Sequence, residues 1–238
     1  TISGHDPRDD STNQEPFKYD RNVGKQPFKL GLLHNSTDHA DTWVKANLEK
    51  ALDELEQAGI ARIEEITIPD MPYEAVATTV ILAETSAAFE EFTETGQGID
   101  LTDQSSRERL YMRYAVLASD YIRAMRIRRK MNQVVNEILL NYDAVIGPSY
   151  PTLALPIDRK FSSAFSGNKK QRDVIGSLGN LAGLPSVSVP NGFGEPKLPT
   201  GIQFLGRPYS ENQILGIARA YQEITDWHLK RPPNTSIG

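Results

Sequence analysis

Cysteine is absent from all 238 residues of the chain. Within these residues there is therefore no disulfide framework, no thiolate nucleophile and no thiolate-ligated metal. No apolar run approaches the roughly 20 residues that a membrane-spanning helix needs, and the first ten residues lack the apolar core of a signal peptide. These absences favour a cytoplasmic location. Because the chain begins with Thr1, we expect an excised domain or a processing product.

The chain has fewer basic than acidic residues, 26 against 31, and only four histidines. The net charge of −5 gives no electrostatic footprint for a nucleic acid or an anionic membrane. His34 and His39 are five positions apart, which does not stack them on one helix face as a metal pair requires. Gly192 and Gly194 lie between candidate strands and not ahead of a helix, so they do not predict a nucleotide loop. We expect no metal and no cofactor.

The motifs of serine hydrolases are missing or incomplete. Gly147-Pro-Ser-Tyr-Pro151 begins like a Gly-x-Ser-x-Gly elbow but has proline where the second glycine belongs. Ser166 and Lys169 have the Ser-x-x-Lys spacing, yet the Gly and Asn between them indicate a polar loop. The basic run from Arg123 to Lys130 lies opposite a core-like stripe and indicates a solvated helix face. We expect no catalytic residue in this chain.

Hydrophobic periodicity predicts strands that alternate with helices. The candidate strands lie at 28–33, 63–68, 143–146, 187–189 and 202–205. The candidate helices lie at about 38–58, 72–95, 105–141, 174–181 and 210–224. Residues 1–27 are polar and rich in turn formers, which predicts a linker or wrapping arm ahead of one domain at 28–238.

Cap residues define several of these boundaries. Asp38 is a candidate N-cap of the first helix, and Gly59 stands where a left-handed residue ends it. Ser210 with Gln213 matches a capping box at the start of the last helix. Since one adjacent strand pair interrupts the alternation near the end, the pattern predicts a layered α/β/α fold with a mixed sheet.

Several blocks, in order, resemble the C-terminal part of the amidase-signature family. They are Tyr142-Asp-Ala-Val-Ile-Gly-Pro148, Asn180-Leu-Ala-Gly-Leu-Pro-Ser-Val-Ser-Val-Pro-Asn191, Gly201-Ile-Gln-Phe-Leu-Gly-Arg207 and the closing helix that ends near Pro233. The blocks at 81–93 and 121–128 are similar to a branch of the family called simply amidase. The resemblance runs from about residue 28 to 233, and residues 4–9 resemble the link from the catalytic half.

This resemblance implies an enzyme that hydrolyses the carbon–nitrogen bond of linear amides through a serine, a second serine on a cis peptide and a lysine. In the family, all three residues lie in the N-terminal half, and none can be assigned to this chain. The resemblance further implies that Asp173 occupies the position of an aspartate that binds a substrate amino group. The alternative role for Asp173, which requires nothing special, is the N-cap of the helix at 174–181. Tyr150 is a candidate for the pocket edge, with simple packing as the alternative.

Three hypotheses follow for the function. The first is the C-terminal region of a stand-alone amidase, inactive without its N-terminal half; the segment Phe89–Gly96 favours it, because related glutamine-dependent proteins have an Arg-Phe-Asp-Gly type segment there. The second is the A subunit of a glutamine-dependent tRNA amidotransferase. The third is a non-catalytic binding domain that reuses the fold. The expected partners are a small amide substrate, the missing half and, through an exposed face, a second copy; no nucleic acid or membrane is expected.

Overall fold

The computed structural model describes residues 4–23, 26–159, 174–195 and 197–231. Within them, five strands form one sheet: β1 (Phe28–Leu33), β2 (Ala61–Ile66), β3 (Ala144–Pro148), β4 (Ser186–Gly194) and β5 (Leu198–Leu205). The α-helices of the same residues are α1 (Thr42–Gln57), α2 (Tyr73–Ala88), α3 (Glu90–Glu94), α4 (Gln104–Leu110), α5 (Ala118–Leu139), α6 (Val174–Ala182) and α7 (Glu211–Ile224). None of these helices combines the length and apolarity required to cross a bilayer.

The sheet is mixed, as the sequence predicts. Its strand order is β2-β1-β3-β5-β4. Strands β2, β1 and β3 are parallel, whereas β5 is antiparallel to both β3 and β4. The short connection between β4 and β5 suits an antiparallel pair, while the parallel strands are joined through helices. From β1 the chain proceeds to β2 on one side and later to β3 on the other, so the topological switch point lies between β1 and β3.

Helices cover both faces of the sheet. On one face, α1 and α7 enclose a core that includes Leu48, Phe204 and Tyr221; we call this the α1 layer. On the other face, α2, α5 and α6 enclose a core that includes Val76 and Met131; we call this the α2 layer. Together with the sheet, the two layers form the predicted α/β/α arrangement.

Helix α6 packs directly on the sheet because two glycines leave room for it. A Cβ atom on Gly147 of β3 would lie 2.1 Å from Cδ1 of Ile175, and one on Gly179 would lie 2.8 Å from Cδ1 of Leu205. No side chain fits at Gly147 unless the buried Ile175 moves. The start of α6 is therefore fixed beside the carboxyl half of β3.

Two predicted helices are broken in the structure. The helix predicted over 72–95 ends at Ala88, where Phe89 leaves the helical conformation with φ −110° and ψ 28°. The helix predicted over 105–141 stops at Leu110, continues as a 3₁₀ turn over Tyr111–Ala115 and restarts at Ala118. The helical spacing of Leu110 and Leu117 predicts one buried stripe, but Leu117 is 61% exposed, so helical spacing across this break does not reflect a buried face.

Of the three predicted helix caps, one is confirmed, one is wrong and one is confirmed only in position. Gly59 adopts the predicted left-handed conformation, with φ +68°. Asp38 is not the N-cap of α1, since Asp41 occupies that position and its carboxylate accepts a hydrogen bond from the Leu153 amide. Ser210 does precede α7, but its hydroxyl donates to the Arg207 carbonyl, so no capping box forms.

The described residues 4–23 contain no helix or strand, and they contact the start and the middle of α7. Asn13 donates to the Tyr209 hydroxyl, and the Asp20 amide donates to Asn212. A Cβ atom on Gly216 of α7 would lie 3.1 Å from the Val23 carbonyl oxygen. This segment therefore shields part of the α1 layer.

Candidate active-site cleft

A cleft of about 580 Å³ opens between the first turns of α2 and α6. It is lined by Met71, Pro72, Tyr73, Glu74, Ala75, Thr78 and Ser177. Helix α2 begins soon after the carboxyl end of β2, and α6 begins beside Gly147 in the carboxyl half of β3. The cleft therefore lies at the carboxyl edge of the parallel strands, where α/β sheets bind their ligands.

Tyr73 anchors one wall of the cleft. Its side chain is buried, and its hydroxyl donates a 3.1 Å hydrogen bond to the Pro69 carbonyl, which fixes the turn ahead of α2. Burial, and secondarily the charge of Asp70, raises the pKa of the Tyr73 phenol above its ordinary value. The phenol therefore stays protonated at neutral pH and remains a hydrogen-bond donor.

The remaining walls combine apolar surface with hydroxyl groups and one carboxylate, that of Glu74. Met71 and Ala75 supply apolar contacts, whereas Thr78 and Ser177 supply hydroxyls from facing helices. Among the described residues that line the cleft there is no lysine, arginine or histidine that could activate a hydroxyl as a nucleophile. These walls can hold and orient a substrate, and the chemistry of bond cleavage requires further groups.

The two predicted substrate-binding residues are not brought together in the described part of the chain. Tyr150 follows β3 at the carboxyl edge and is half-buried, but it does not line the cleft. Asp173 lies outside the described residues; in the sequence it directly precedes α6. Ser166 and Lys169 also lie outside them. The roles assigned to Asp173 and Tyr150 stay predictions.

A pair of serines occupies the same edge of the sheet. The hydroxyls of Ser149, which follows β3, and Ser188 on β4 form a hydrogen bond. Gly201 allows this contact, since a Cβ atom there would lie 2.6 Å from Ser149 Oγ. Among the described residues, no basic side chain hydrogen bonds to either hydroxyl. The pair joins β4 to the loop after β3 and lacks the base of an activated nucleophile.

His34 and Glu65 form another polar pair, at the ends of the neighbouring strands β1 and β2. The His34 Nδ1 atom contacts a carboxylate oxygen of Glu65, and both side chains are exposed. In the described ranges, no group of three histidine, aspartate or glutamate side chains is placed to hold a metal ion. The pair is therefore best described as a surface contact between two strand ends.

A second pocket, of about 240 Å³, lies between α2, α5 and α6. It is lined by Ala77, Val80, Ile81, Glu84, Arg128, Asn180 and Leu181. The sequence pattern does not single out Arg128, because the whole basic run from Arg123 to Lys130 indicates a solvated helix face. Arg123 and Arg126 are indeed exposed, but Arg128 is half-buried and its Nε donates to the Leu181 carbonyl. One signal could have distinguished Arg128 from its neighbours. It lies four positions after Ala124 and three before Met131, so it shares a helix face with two residues that are buried.

A third cleft, of about 530 Å³, lies elsewhere. It is bounded by the end of α5, the turn at 207–210, the start of α7 and Val23. Arg207 follows β5, which is antiparallel to β3, so this cleft lies at the amino edge of the parallel strands. Because ligands of α/β sheets bind at the opposite edge, the cleft between α2 and α6 is the better candidate site.

Comparison with known proteins gives one family. A family model described as Amidase matches residues 1–215. The chain is 30% identical over 258 aligned positions to the A subunit of the glutamyl-tRNA(Gln) amidotransferase of Pseudomonas entomophila; the match covers 97% of this chain and 53% of that protein. The chain thus spans about half the length of the curated relatives that it matches.

Solved structures agree with this assignment. The A subunit of the glutamyl-tRNA(Gln) amidotransferase of Thermotoga maritima is 27% identical, with a TM-score of 0.72 over 92% of this chain and 48% of that one. The peptide amidase of Stenotrophomonas maltophilia, 24% identical, shares the fold with a TM-score of 0.73 over 99% of this chain and 51% of its own. The chain therefore belongs to the amidase-signature family, as its sequence blocks predict.

Proposed function

We propose that this chain is the C-terminal part of an enzyme that hydrolyses the carbon–nitrogen bond of linear amides, and that it forms one wall of the substrate site. One observation carries the proposal: a roomy cleft at the carboxyl edge of the sheet has hydroxyl and apolar walls and the Glu74 carboxylate, but no lysine, arginine or histidine among its described lining residues. Family membership supports the reaction class.

The chemistry of amide cleavage divides naturally between such a wall and a separate catalytic half. An activated serine must attack the carbonyl carbon, and fixed donors must stabilise the developing oxyanion. We propose that the serine, the cis-peptide serine and the lysine lie outside this chain. This chain then binds and orients the substrate, which contributes by holding the amide close to the nucleophile.

Asp173 and Tyr150 are proposed as additional binding residues. Asp173 is four positions ahead of Ser177, which lines the cleft. A carboxylate there would form a charge-assisted hydrogen bond with a substrate amino group. Tyr150 directly follows Ser149 at the carboxyl edge and would border the site from the β3 side.

An assay of the complete protein and of residues 1–238 alone, with simple aliphatic amides, tests this division. Hydrolysis by the complete protein only is the expected result, and serine-dependent turnover by the isolated chain would contradict the proposal. In the complete protein, Thr78→Trp should fill the cleft and raise KM more than it changes kcat. Ala87→Trp, exposed on the same helix away from the cleft, is the matched control.

The second candidate is the A subunit of a glutamine-dependent tRNA amidotransferase. The 30% identity to proteins with that description favours it, whereas the segment Phe89–Gly96 favours a stand-alone amidase. Asp173→Ala in the complete protein should abolish glutaminase activity if the second candidate is correct. A non-catalytic binding domain remains the third; hydrolysis of any amide by the complete protein excludes it.

The proposed split between this chain and a catalytic half leads to proposals for the domain organisation and the location of the protein. We propose residues 1–27 as an arm, 28–238 as part of a single domain, and the cytoplasm as its location. Ile81 and Phe89, both about half exposed, support an apolar face that the rest of the domain or a second copy covers.

A further inference from the structure

We propose that the third cleft, at the amino edge of the parallel strands, binds a small organic oxyanion through Arg207. The ligand class is a carboxylate or a phosphate monoester that also has an apolar part. This cleft lies at the opposite edge of the sheet from the cleft between α2 and α6, so the inference goes beyond the proposed function and does not depend on it. Neither the family match nor the descriptions of the relatives assign a ligand to this cleft.

The third cleft has the size of a small-molecule site and a mixed lining. Its volume is about 530 Å³, within the range of about 300–1,000 Å³ that such sites occupy. Val23, Leu140 and Pro208 supply apolar surface, and the other lining residues are polar. A molecule with an apolar part therefore fills this cleft better than a bare inorganic ion does.

Arg207 gives the cleft a positive charge that the protein does not neutralise. It is half-buried and is the one charged side chain among the described residues that line the cleft. Within the part of the chain that the structure describes, its guanidinium has no hydrogen bond or ion pair. Asp143, which contacts the lining residue Gln213, already accepts hydrogen bonds at both oxygens, from Gln213 Nε2 and from the Lys29 amide. A half-buried guanidinium without a counter-ion favours an anionic ligand.

The polar groups beside Arg207 also have donors to offer. The side-chain oxygen of Asn212 accepts a hydrogen bond from the Asp20 amide, which leaves the Asn212 Nδ2 group as a donor. The Tyr209 hydroxyl oxygen accepts from Asn13, which leaves the hydroxyl proton for another acceptor. The planar fork of Arg207 matches two oxygens of a carboxylate or a phosphate. The lining therefore suits an oxyanion and disfavours a cation.

The same groups connect the cleft to residues 4–23. Asn212 and Tyr209 both line the cleft, and both hold this segment through the bonds to Asp20 and Asn13. Val23 of the segment lines the cleft directly. A ligand that fixes the side chains of Asn212 and Tyr209 also fixes their partners, so binding should hold this segment more firmly against α7.

Phenyl phosphate and benzoate are the probes for this site, and benzyl alcohol is the neutral control. Calorimetry on the complete protein should show that one or both anions bind about ten- to a hundredfold more tightly than the alcohol, as expected for hydrogen bonds to a charged group. Arg207→Met should remove this difference, and Arg207→Lys should restore part of it. Arg126→Met, at an exposed residue of α5, is the matched control and should leave the difference intact. Tighter binding of phenyl phosphate indicates a phosphate monoester as the ligand, and tighter binding of benzoate indicates a carboxylate.

A second variant changes the charge of the cleft and leaves Arg207 in place. Asn136 is exposed and lines the cleft, so Asn136→Asp should preserve the fold and weaken binding of the anions about tenfold through repulsion. Gln133→Glu, at an exposed residue three positions earlier on α5 and outside the cleft, is the control for the added charge. Anion binding that is unchanged in both Arg207→Met and Asn136→Asp would overturn the inference.

Hydrogen exchange in the complete protein locates the bound anion. Saturating phenyl phosphate should slow amide exchange in residues 16–23 and 205–215 of the wild type, and should not do so in Arg207→Met. Residues 71–78, at the cleft between α2 and α6, should be unaffected. Slower exchange at 71–78 with no change at 205–215 would place the anion in the candidate active site and reject the third cleft. Neither measurement uses amide hydrolysis, so failure of this inference leaves the proposed function intact, and the reverse also holds.

Discussion

The two helical layers of this molecule differ in how completely the chain covers them. In the α1 layer, α1 and α7 expose Trp43, Leu215 and Ile224 by only 37–44%, and residues 4–23 lie across α7. In the α2 layer, the exposure is 50–70% for Ile81, Phe89, Ile122 and Leu140, which lie on or directly after α2 and α5. On the helices themselves, the α2 layer therefore exposes its large apolar side chains more than the α1 layer does.

The candidate site lies in the less covered layer. Both the cleft and the second pocket are lined by α2 and α6, and α2 has apolar residues on its outward as well as its inward side. A helix that is apolar all round is usually buried on more than one side. The surface that exposes apolar side chains also holds the cleft, which supports the proposal that a second half of the enzyme completes the substrate site.

The largest expected difference is in the free energy of unfolding, between a variant that truncates a phenylalanine of the α1 layer and one that truncates a phenylalanine beside α2. Phe204→Ala should lower the free energy of unfolding by about 3–5 kcal/mol, since the ring is fully buried in the α1 layer. Phe89→Ala, at a residue 52% exposed beside α2, should change it by at most about 0.5 kcal/mol. Urea denaturation of both variants measures the contrast. A loss above about 2 kcal/mol in Phe89→Ala would show that the α2 layer is closed within this chain.

Gly147→Val tests how α6 is held against the sheet. The new side chain would collide with Ile175, so we expect a loss of about 1–3 kcal/mol and faster amide exchange throughout α6. Exchange in α7 should remain nearly unchanged, because α7 lies on the opposite face of the sheet. Equal loss of protection in both helices would mean that the two layers unfold as one unit.

At alkaline pH, the buried tyrosine of the α1 layer, Tyr221, should reduce stability more than the buried tyrosine of the α2 layer, Tyr73. Burial raises the pKa of Tyr221 far above its ordinary value. The charge of Glu54 and the hydrogen bond to Glu54 raise this pKa further. Because the folded pKa exceeds the unfolded one, this stabilisation is full below about pH 10 and is lost as pH rises further. Tyr221→Phe should reduce the fall in stability between about pH 9 and 12 more than Tyr73→Phe does. Urea titrations at several pH values measure this, and equal slopes in the two variants would contradict it.

Much of the architecture could be predicted because it depends on local patterns. Alternating apolar residues at Val187 and Val189 predict a strand, and the helix predicted over 174–181 is found as Val174–Ala182. Fold class and family followed from these patterns together with the ordered sequence blocks. Boundaries failed where tertiary contacts decide them: the N-cap position of α1 is Asp41, whose carboxylate accepts a hydrogen bond from the distant Leu153 amide, and not the predicted Asp38.

The candidate site was less predictable, for a physical reason. Ser177 and Tyr73 are more than 100 positions apart in the sequence, and no short motif marks their convergence on one cleft. Arg128 could not be separated from its exposed neighbours by composition, since its special position depends on contact with the end of α6. Pairing across long loops, as between β3 and β5, is decided by packing and leaves little local signal.

The smallest expected effect on stability concerns Leu117, which precedes α5 and is 61% exposed. Leu117→Ser removes apolar surface that the chain itself does not bury, so the free energy of unfolding should change by about 0.5 kcal/mol or less. If the exposed residues of the α2 layer mediate self-association of the isolated chain, light scattering should give a lower average mass for this variant. Leu215→Ser on α7 is the control and should leave the mass unchanged. A fall in mass with the control alone would place the contact surface on the α1 layer and reverse the comparison between the two faces.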